Sequence, residues 1–328
     1  MEKRILRSLS LASILITLVF ISSNSSWAAE KYPSRPIELV TGFPPGGAAD
    51  LMNRSLAKYL SKALGATVVP VNKPGGSGAV ATTYVANSRP DGYTILNQGE
   101  NIFTTVLLEQ ATYALENLRF VCQFGLVYTV IAVPADSPWK TFQEFIDSVR
   151  KNPGAVTYGH AGVGTIPTLR FDNLLKYANL KMVGVPFKGD GEVVPALLGK
   201  HVPVAVFTLG AVKPLADAGK LRILFSFDPP AQMDLDPSIP DWKTFFGKDA
   251  PEITFSTYLV VAGKTPDEII HVLERAVEEI SKDPEFIREF KSSYQGVQFI
   301  DSKTITEKII PARISRMREI FKDAGLIK

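Results

Sequence analysis

Few side chains in this sequence are suited to covalent chemistry, and their spacing argues against it. The histidines are His160, His201 and His271, and Cys122 is the single cysteine. A nucleophile needs a base within hydrogen-bond reach, and none of the three histidines sits in a matching motif. Ser77, within Gly75-Gly76-Ser77-Gly78-Ala79, misses the G-x-S-x-G elbow by its last residue. Zinc spacings such as HExxH or paired CxxC are absent. So is a phosphate-binding GxxxxGK[ST] loop, because Gly199-Lys200 lacks a glycine at Val194 and is followed by His201. Gly76-Ser77-Gly78-Ala79-Val80-Ala81 does match the dinucleotide pattern G-x-G-x-x-A, but an exported chain seldom meets free nicotinamide cofactor. No cofactor, no metal and no enzymatic activity are therefore expected. An exported hydrolase using Ser77 or Thr165 with His160 stands as the alternative.

What the chain offers instead is glycine at the ends of strands. Leu39-Val40-Thr41-Gly42-Phe43-Pro44-Pro45-Gly46-Gly47-Ala48-Ala49-Asp50 reads as a strand, a glycine-rich turn and the start of a helix that Gly65 ends. The first N–H groups of a helix have no internal partner and its dipole is positive there, so such a turn can hold a carboxylate by backbone alone. The other reading is a βα turn with a purely structural role. Gly159-His160-Ala161-Gly162-Val163-Gly164-Thr165 repeats the design later in the chain. There, His160 reads either as ligand-facing or as a plain loop histidine. Gln98, Asn101, Thr165 and Thr208 can satisfy carboxylate oxygens, while Phe43 and Phe187 can line an apolar wall. His201 and His271 read as structural or solvated, and Cys122 as a small buried apolar residue.

The elements that must position these loops alternate. Strands are expected over 37–41, 67–71 and 93–96, with helices over 51–64 and 79–87, giving βαβαβ and a parallel sheet whose ligands lie at the carboxyl ends of strands. Apolar runs at 118–124 and 127–133 follow, and residues 134–139 break the pattern where a domain crossing is expected. A helix over 142–151 capped by Thr141 opens a second α/β region, which continues through strands at 182–185, 202–207 and 221–225. Residues 228–251 read as an irregular surface excursion. A return strand over 255–262 and long amphipathic helices close the chain.

Composition bounds the class. The 328 residues carry 36 Lys+Arg against 33 Asp+Glu, a net charge of +3, with no basic stripe, so nucleic acid is not an expected partner. Residues 1–28 read as a secretory signal peptide: Lys3, Arg4 and Arg7 precede an apolar run over 9–21, and Ser26-Trp27-Ala28 fits a small-x-small cleavage site after Ala28. The length beyond it suits two domains at about 150 residues each. The expected division is 29–130 for a first lobe, 131–254 for a second, and 255–328 returning to the first.

Several segments resemble the Bug family, the substrate-binding proteins of tripartite tricarboxylate transporters. In the first lobe they are Tyr32-Pro33-Ser34-Arg35-Pro36-Ile37, Phe43-Pro44-Pro45-Gly46-Gly47-Ala48-Ala49-Asp50, Asn72-Lys73-Pro74-Gly75-Gly76-Ser77-Gly78 and Pro90-Asp91-Gly92-Tyr93-Thr94. In the second they are the 158–165 loop, Val185-Pro186-Phe187-Lys188-Gly189 and Ala218-Gly219-Lys220-Leu221-Arg222. The resemblance covers essentially everything after the leader. It implies a type II-like periplasmic binding fold of two lobes, each a mainly parallel sheet flanked by helices, closing over a small organic carboxylate, a di- or tricarboxylate or an aromatic acid. It also implies a periplasmic monomer that delivers its ligand to the membrane subunits of a tripartite tricarboxylate transporter, or docks on a sensor. The 43–50 loop would hold a ligand carboxylate through backbone amides and ordered waters, with Gly164 and Thr165 facing it. The residues expected at the ligand are Phe43, Pro45, Gly46, Gly47, Ala48, Asp50, Gln98, Asn101, His160, Ala161, Gly164, Thr165, Phe187, Lys188, Phe207 and Thr208. Family members that bind amino acids often carry an aspartate where this chain has Phe207-Thr208, which favours a ligand without an α-amino group. Glu100, in Gln98-Gly99-Glu100-Asn101, would repel a second carboxylate if it faced the cleft. It therefore either points away or meets a ligand donor.

Overall fold

A computed structural model describes residues 32–247, 255–323 and 326–328, apart from the side chains of Ala48 and Asp323. The expected leader and its cleavage after Ala28 lie outside the described residues, as does part of the 228–251 segment. All elements below belong to one unit, Arg35–Lys328.

The chain begins with β1 (Ile37–Thr41), α1 (Ala48–Leu64), β2 (Val68–Asn72), α2 (Ala79–Ala86), β3 (Thr94–Gly99) and α3 (Asn101–Leu107). It continues with β4 (Leu118–Val127), β5 (Thr129–Pro134), α4 (Phe142–Lys151), β6 (Thr157–His160), α5 (Ile166–Tyr177) and β7 (Val183–Pro186). Then come α6 (Asp190–Leu198), β8 (Ala205–Thr208), α7 (Leu209–Asp217), β9 (Leu221–Ser226) and α8 (Trp242–Phe246). The chain closes with β10 (Ser256–Ala262), α9 (Asp267–Ile280), α10 (Pro284–Ser292), β11 (Gln295–Asp301), α11 (Ser302–Thr304) and α12 (Ile310–Asp323).

Two sheets result, a six-stranded one in the order β11-β4-β10-β3-β1-β2 and a five-stranded one in the order β7-β6-β8-β5-β9. Both are mixed, where mainly parallel sheets are expected from the alternation of elements. The βαβ crossovers make β1 parallel to β2 and β3, and β6 parallel to β7 and β8. The strands at which the chain passes between sheets, β4 to β5 and β9 to β10, pair antiparallel with their neighbours, as does the last strand, β11. The chain changes sheets at Tyr128, between β4 and β5, and residues 135–141 instead join β5 to α4.

Local rules explain the elements. Helix α4 opens on a reciprocal cap in which Thr141 accepts from the Glu144 amide and Glu144 from the Thr141 amide, and it buries Phe142, Phe145, Ile146 and Val149 along one face. Helix α1 starts at an extended Gly47 and stops at Gly65 with φ +63°, burying Met52, Leu56, Tyr59 and Leu60 while Leu51 stays 54% exposed. Each of those buried side chains contributes roughly 1.5–3 kcal/mol. Ser55, Lys58 and Tyr59 of α1 all donate to Glu289 of α10.

The 228–251 segment is not a surface excursion where it is described. Met233, Leu235 and Trp242 are nearly fully buried, and Trp242 joins Phe142 and Phe225 in one aromatic cluster. Its prolines and aspartates give irregular backbone, while its aromatic residues supply second-sheet core. Ile166 and Leu169 of α5 pack with Ile102, Phe103 and Tyr113 from the first-sheet part of the chain.

Candidate functional site

The turn after β1 is held from inside. Asp50, 2% exposed, accepts from the Gly46 amide, Arg54 Nε and Asn72 Nδ2, each at 2.9 Å. Burial alone would push its carboxyl up, but the hydrogen bonds from Arg54, Gly46 and Asn72 outweigh that and hold it below the usual range. Asp50 is therefore a brace for the loop, and the Gly46 amide is spent on it. No side chain caps α1, whose first turn stays open at Gly47. Below it, Gly42 and Gly78 approach so closely that a Cβ on Gly42 would lie 2.5 Å from the Gly78 Cα, and one on Gly78 would lie 1.7 Å from Gln98 Nε2. Glycine at 78, with φ +93°, makes room for Gln98.

These loops surround a cavity of about 380 Å³. Phe43, Pro45, Gly46, Gly47, Gln98, Asn101, Ala161, Thr165, Lys188 and Thr208, all expected from the sequence, line it. Side chains not singled out from the sequence join them, among them Thr41, Met52, Asn97, Asp190, Glu192, Phe255, Thr257 and Gln295. Among the described residues, four polar atoms on this lining are buried without a hydrogen-bond partner: Gln98 Oε1, Asn101 Nδ2, Asp190 Oδ1 and Thr257 Oγ1. Gln98 and Asn101 are each 2% exposed.

Other expected residues sit elsewhere. His160 is buried behind the lining, with Nδ1 3.3 Å from the Thr168 hydroxyl and its ring beside Tyr158. Burial pushes its pKa down, keeping it neutral at physiological pH. Gly164 gives its carbonyl to the Thr104 hydroxyl at 2.9 Å. Phe207 is fully buried in the second-sheet core, and Phe187 packs against that core, so Phe43 and Phe255 supply the aromatic wall. The side chain of Ala48 lies outside the described residues. Ser77 donates to the Val163 carbonyl and Thr165 to the Gly162 carbonyl, and neither hydroxyl bonds to His160.

Glu100 faces away from the cavity. Fully buried, it accepts from the Ser256 amide at 2.6 Å and Tyr258 Oη at 2.9 Å and pairs with Arg313 of α12. Burial lowers the Arg313 guanidinium to about 10, still charged at neutral pH.

Asp190 is the functional candidate that the sequence hid most completely. Its Oδ2 accepts from the Thr208 amide at 3.2 Å and the Thr208 hydroxyl at 2.5 Å, so a carboxylate does stand beside Thr208, lent by another loop. Burial pushes its carboxyl up to about 6, against the lowering effect of the two Thr208 hydrogen bonds. The only local signal was an acid in the 186–191 loop at a helix start, which is common for dipole reasons alone. Thr257 and Phe255 carried no local signal, because they reach the cavity only through the return of β10 between β3 and β4.

A family profile described as the tripartite tricarboxylate transporter family receptor matches residues 52–326. A UPF0065 protein in the gbd 5′ region of Cupriavidus necator is 30% identical over 302 residues, covering 92% of this chain and 90% of its own. BugT of Bordetella pertussis is 27% identical over 325 residues, 97% of this chain and 98% of its own. Among solved structures, the periplasmic binding protein BugD matches with a TM-score of 0.81 at 25% identity, over 90% of this chain and 100% of its own. R. palustris Rpa4515, solved with adipate, matches in fold with a TM-score of 0.83 at 24% identity, over 90% of this chain and 98% of its own.

Proposed function

The chain belongs to the tripartite tricarboxylate transporter receptor family, and from that premise we propose that it is exported to the periplasm, captures a small organic carboxylate in the 380 Å³ cavity and hands it to a membrane transporter. The observation that carries the reading is the convergence of four buried, unpartnered polar atoms on one cavity beside the uncapped start of α1. A buried polar group without a partner costs about 1–3 kcal/mol, so such a cluster is stable mainly as a site that a polar ligand completes. Asn101 Nδ2 and the first-turn amides of α1 are donors suited to carboxylate oxygens. Rpa4515 holds adipate in the same fold, but the carboxylate assignment here rests on this chain's own donors.

The two sheets act in this reading as two lobes, with a hinge at Tyr128, where the chain passes from one sheet to the other. No catalytic step is included: among the described residues no lining hydroxyl bonds to a histidine, and the Thr208 hydroxyl, bonded to the Asp190 carboxylate, is used in holding that carboxylate against the wall. Calorimetric titration and thermal shift of the exported chain against a panel of organic acids test the proposal. Saturable binding of at least one acid is expected. Binding of sugars or metal ions with no response to any acid would overturn it.

A further inference from the structure

Resting on that reading, we propose that Asp190 makes the cavity selective for carboxylic acids that also carry a protonated amine. One oxygen of Asp190 is saturated by the Thr208 amide and hydroxyl, while the other is buried, partnerless and part of the cavity wall. Gln98 Oε1 is a second partnerless acceptor on the same wall, carried by a side chain 2% exposed. Two acceptors require donors. A mono- or dicarboxylate brings only acceptors, so it can satisfy Asn101 Nδ2 but leaves Gln98 and Asp190 unmet and sets a second anion near the first.

The charge balance of the wall points the same way. Asp190 and Glu192 are acidic and Lys188 is basic, so the charged lining side chains already carry an excess of negative charge. An acid with an ammonium group adds no net charge and gives Asp190 a charge-assisted hydrogen bond. This reverses the expectation drawn from Phe207-Thr208 alone. The position beside Thr208 does hold a carboxylate, supplied by the 186–191 loop and not by the strand.

The test is calorimetry of the exported chain, wild type and Asp190→Asn, against matched monocarboxylate, hydroxy-acid, dicarboxylate and amino-acid ligands from propanoate to hexanoate length, with both α- and ω-amino isomers. An amide at 190 can still accept from Thr208, so unfolding temperature checks that the variant is folded. At some chain length the amino acid should bind at least about tenfold tighter than its matched counterparts, as expected for a charge-assisted bond. In Asp190→Asn the ratio of amino-acid to dicarboxylate affinity should fall by about a hundredfold. A wild type that prefers the dicarboxylate or hydroxy acid, or an Asn variant that keeps the amino-acid preference, overturns the selectivity while leaving carboxylate capture intact. Failure of every acid to bind wild type overturns both.

Discussion

Asp190 and Asp50 are carboxylates in the first turns of helices that follow glycine-rich loops, with opposite environments, and that difference separates a candidate ligand group from a brace. Asp50 has three donors and a depressed pKa. Asp190 shares one oxygen with Thr208 and leaves the other unmet, and burial raises its pKa to about 6. An acid whose folded-state pKa lies above its unfolded value of 3.8 holds its proton more firmly when folded. Its contribution to stability is therefore fully present below pH 3.8 and is lost as pH rises to about 6. Lys188 and Glu192 line the same cavity but do not bond to it. Ligand-free Asp190→Asn should accordingly unfold about 2–4 °C higher than wild type at neutral pH, with the difference shrinking toward pH 4, as melting curves across pH would read. Equal melting temperatures at neutral pH would show that Asp190 bears no desolvation penalty. Asp50→Ala should have the opposite sign, losing about 1–3 kcal/mol in denaturant unfolding because three donors lose their acceptor.

At the scale of elements, the start of α1 and the end of β3 are where sequence reading and structure meet most closely. Gly47 lines the cavity with φ −82°, and a Cβ there would meet only the Pro44 carbonyl at an ordinary 3.7 Å. Gly47→Leu should leave unfolding within about 0.5 kcal/mol of wild type, as for a surface change, yet weaken acid binding by more than about tenfold. Unchanged affinity would return this loop to a structural role. The junction of β3 and α3 depends on a more distant element, since Glu100 beside Asn101 is neutralised by Arg313 of α12. Arg313→Met should cost about 3–5 kcal/mol by leaving a buried carboxylate uncompensated. Adding Glu100→Gln should recover most of that in a denaturant-unfolding cycle.

For the molecule as a whole, the loop before α5 is tied to first-sheet elements at two hydroxyls. Ser77 donates to the Val163 carbonyl at 3.1 Å, and Thr104, fully buried, donates to the Gly164 carbonyl at 2.9 Å. Under the proposed two-lobe clamp these bonds favour the form that encloses a ligand. Thr104 is not on the cavity wall, so Thr104→Val removes the link without altering the lining. A loss of about 1 kcal/mol, or about fivefold in the affinity of whichever acid binds, is the expected calorimetric result. Wild-type affinity in that variant would mean that the link plays no part in closure.

The order of strands, glycine turns and helices was readable in the sequence because each is a local matter. Apolar periodicity, Gly65 after α1 and the Thr141–Glu144 cap act within a few residues of themselves. The same local logic marked the 43–50 turn, Gln98, Asn101, Thr165 and Thr208, all at strand ends. Tertiary structure alone decided which of these side chains have partners. It turned Glu100 toward Arg313, placed His160 behind the wall, and brought Asp190 to Thr208 and Thr257 to the cavity. A hydrogen bond or buried charge is set by groups far apart in the chain, and their juxtaposition follows from sheet order, which no short window of residues encodes.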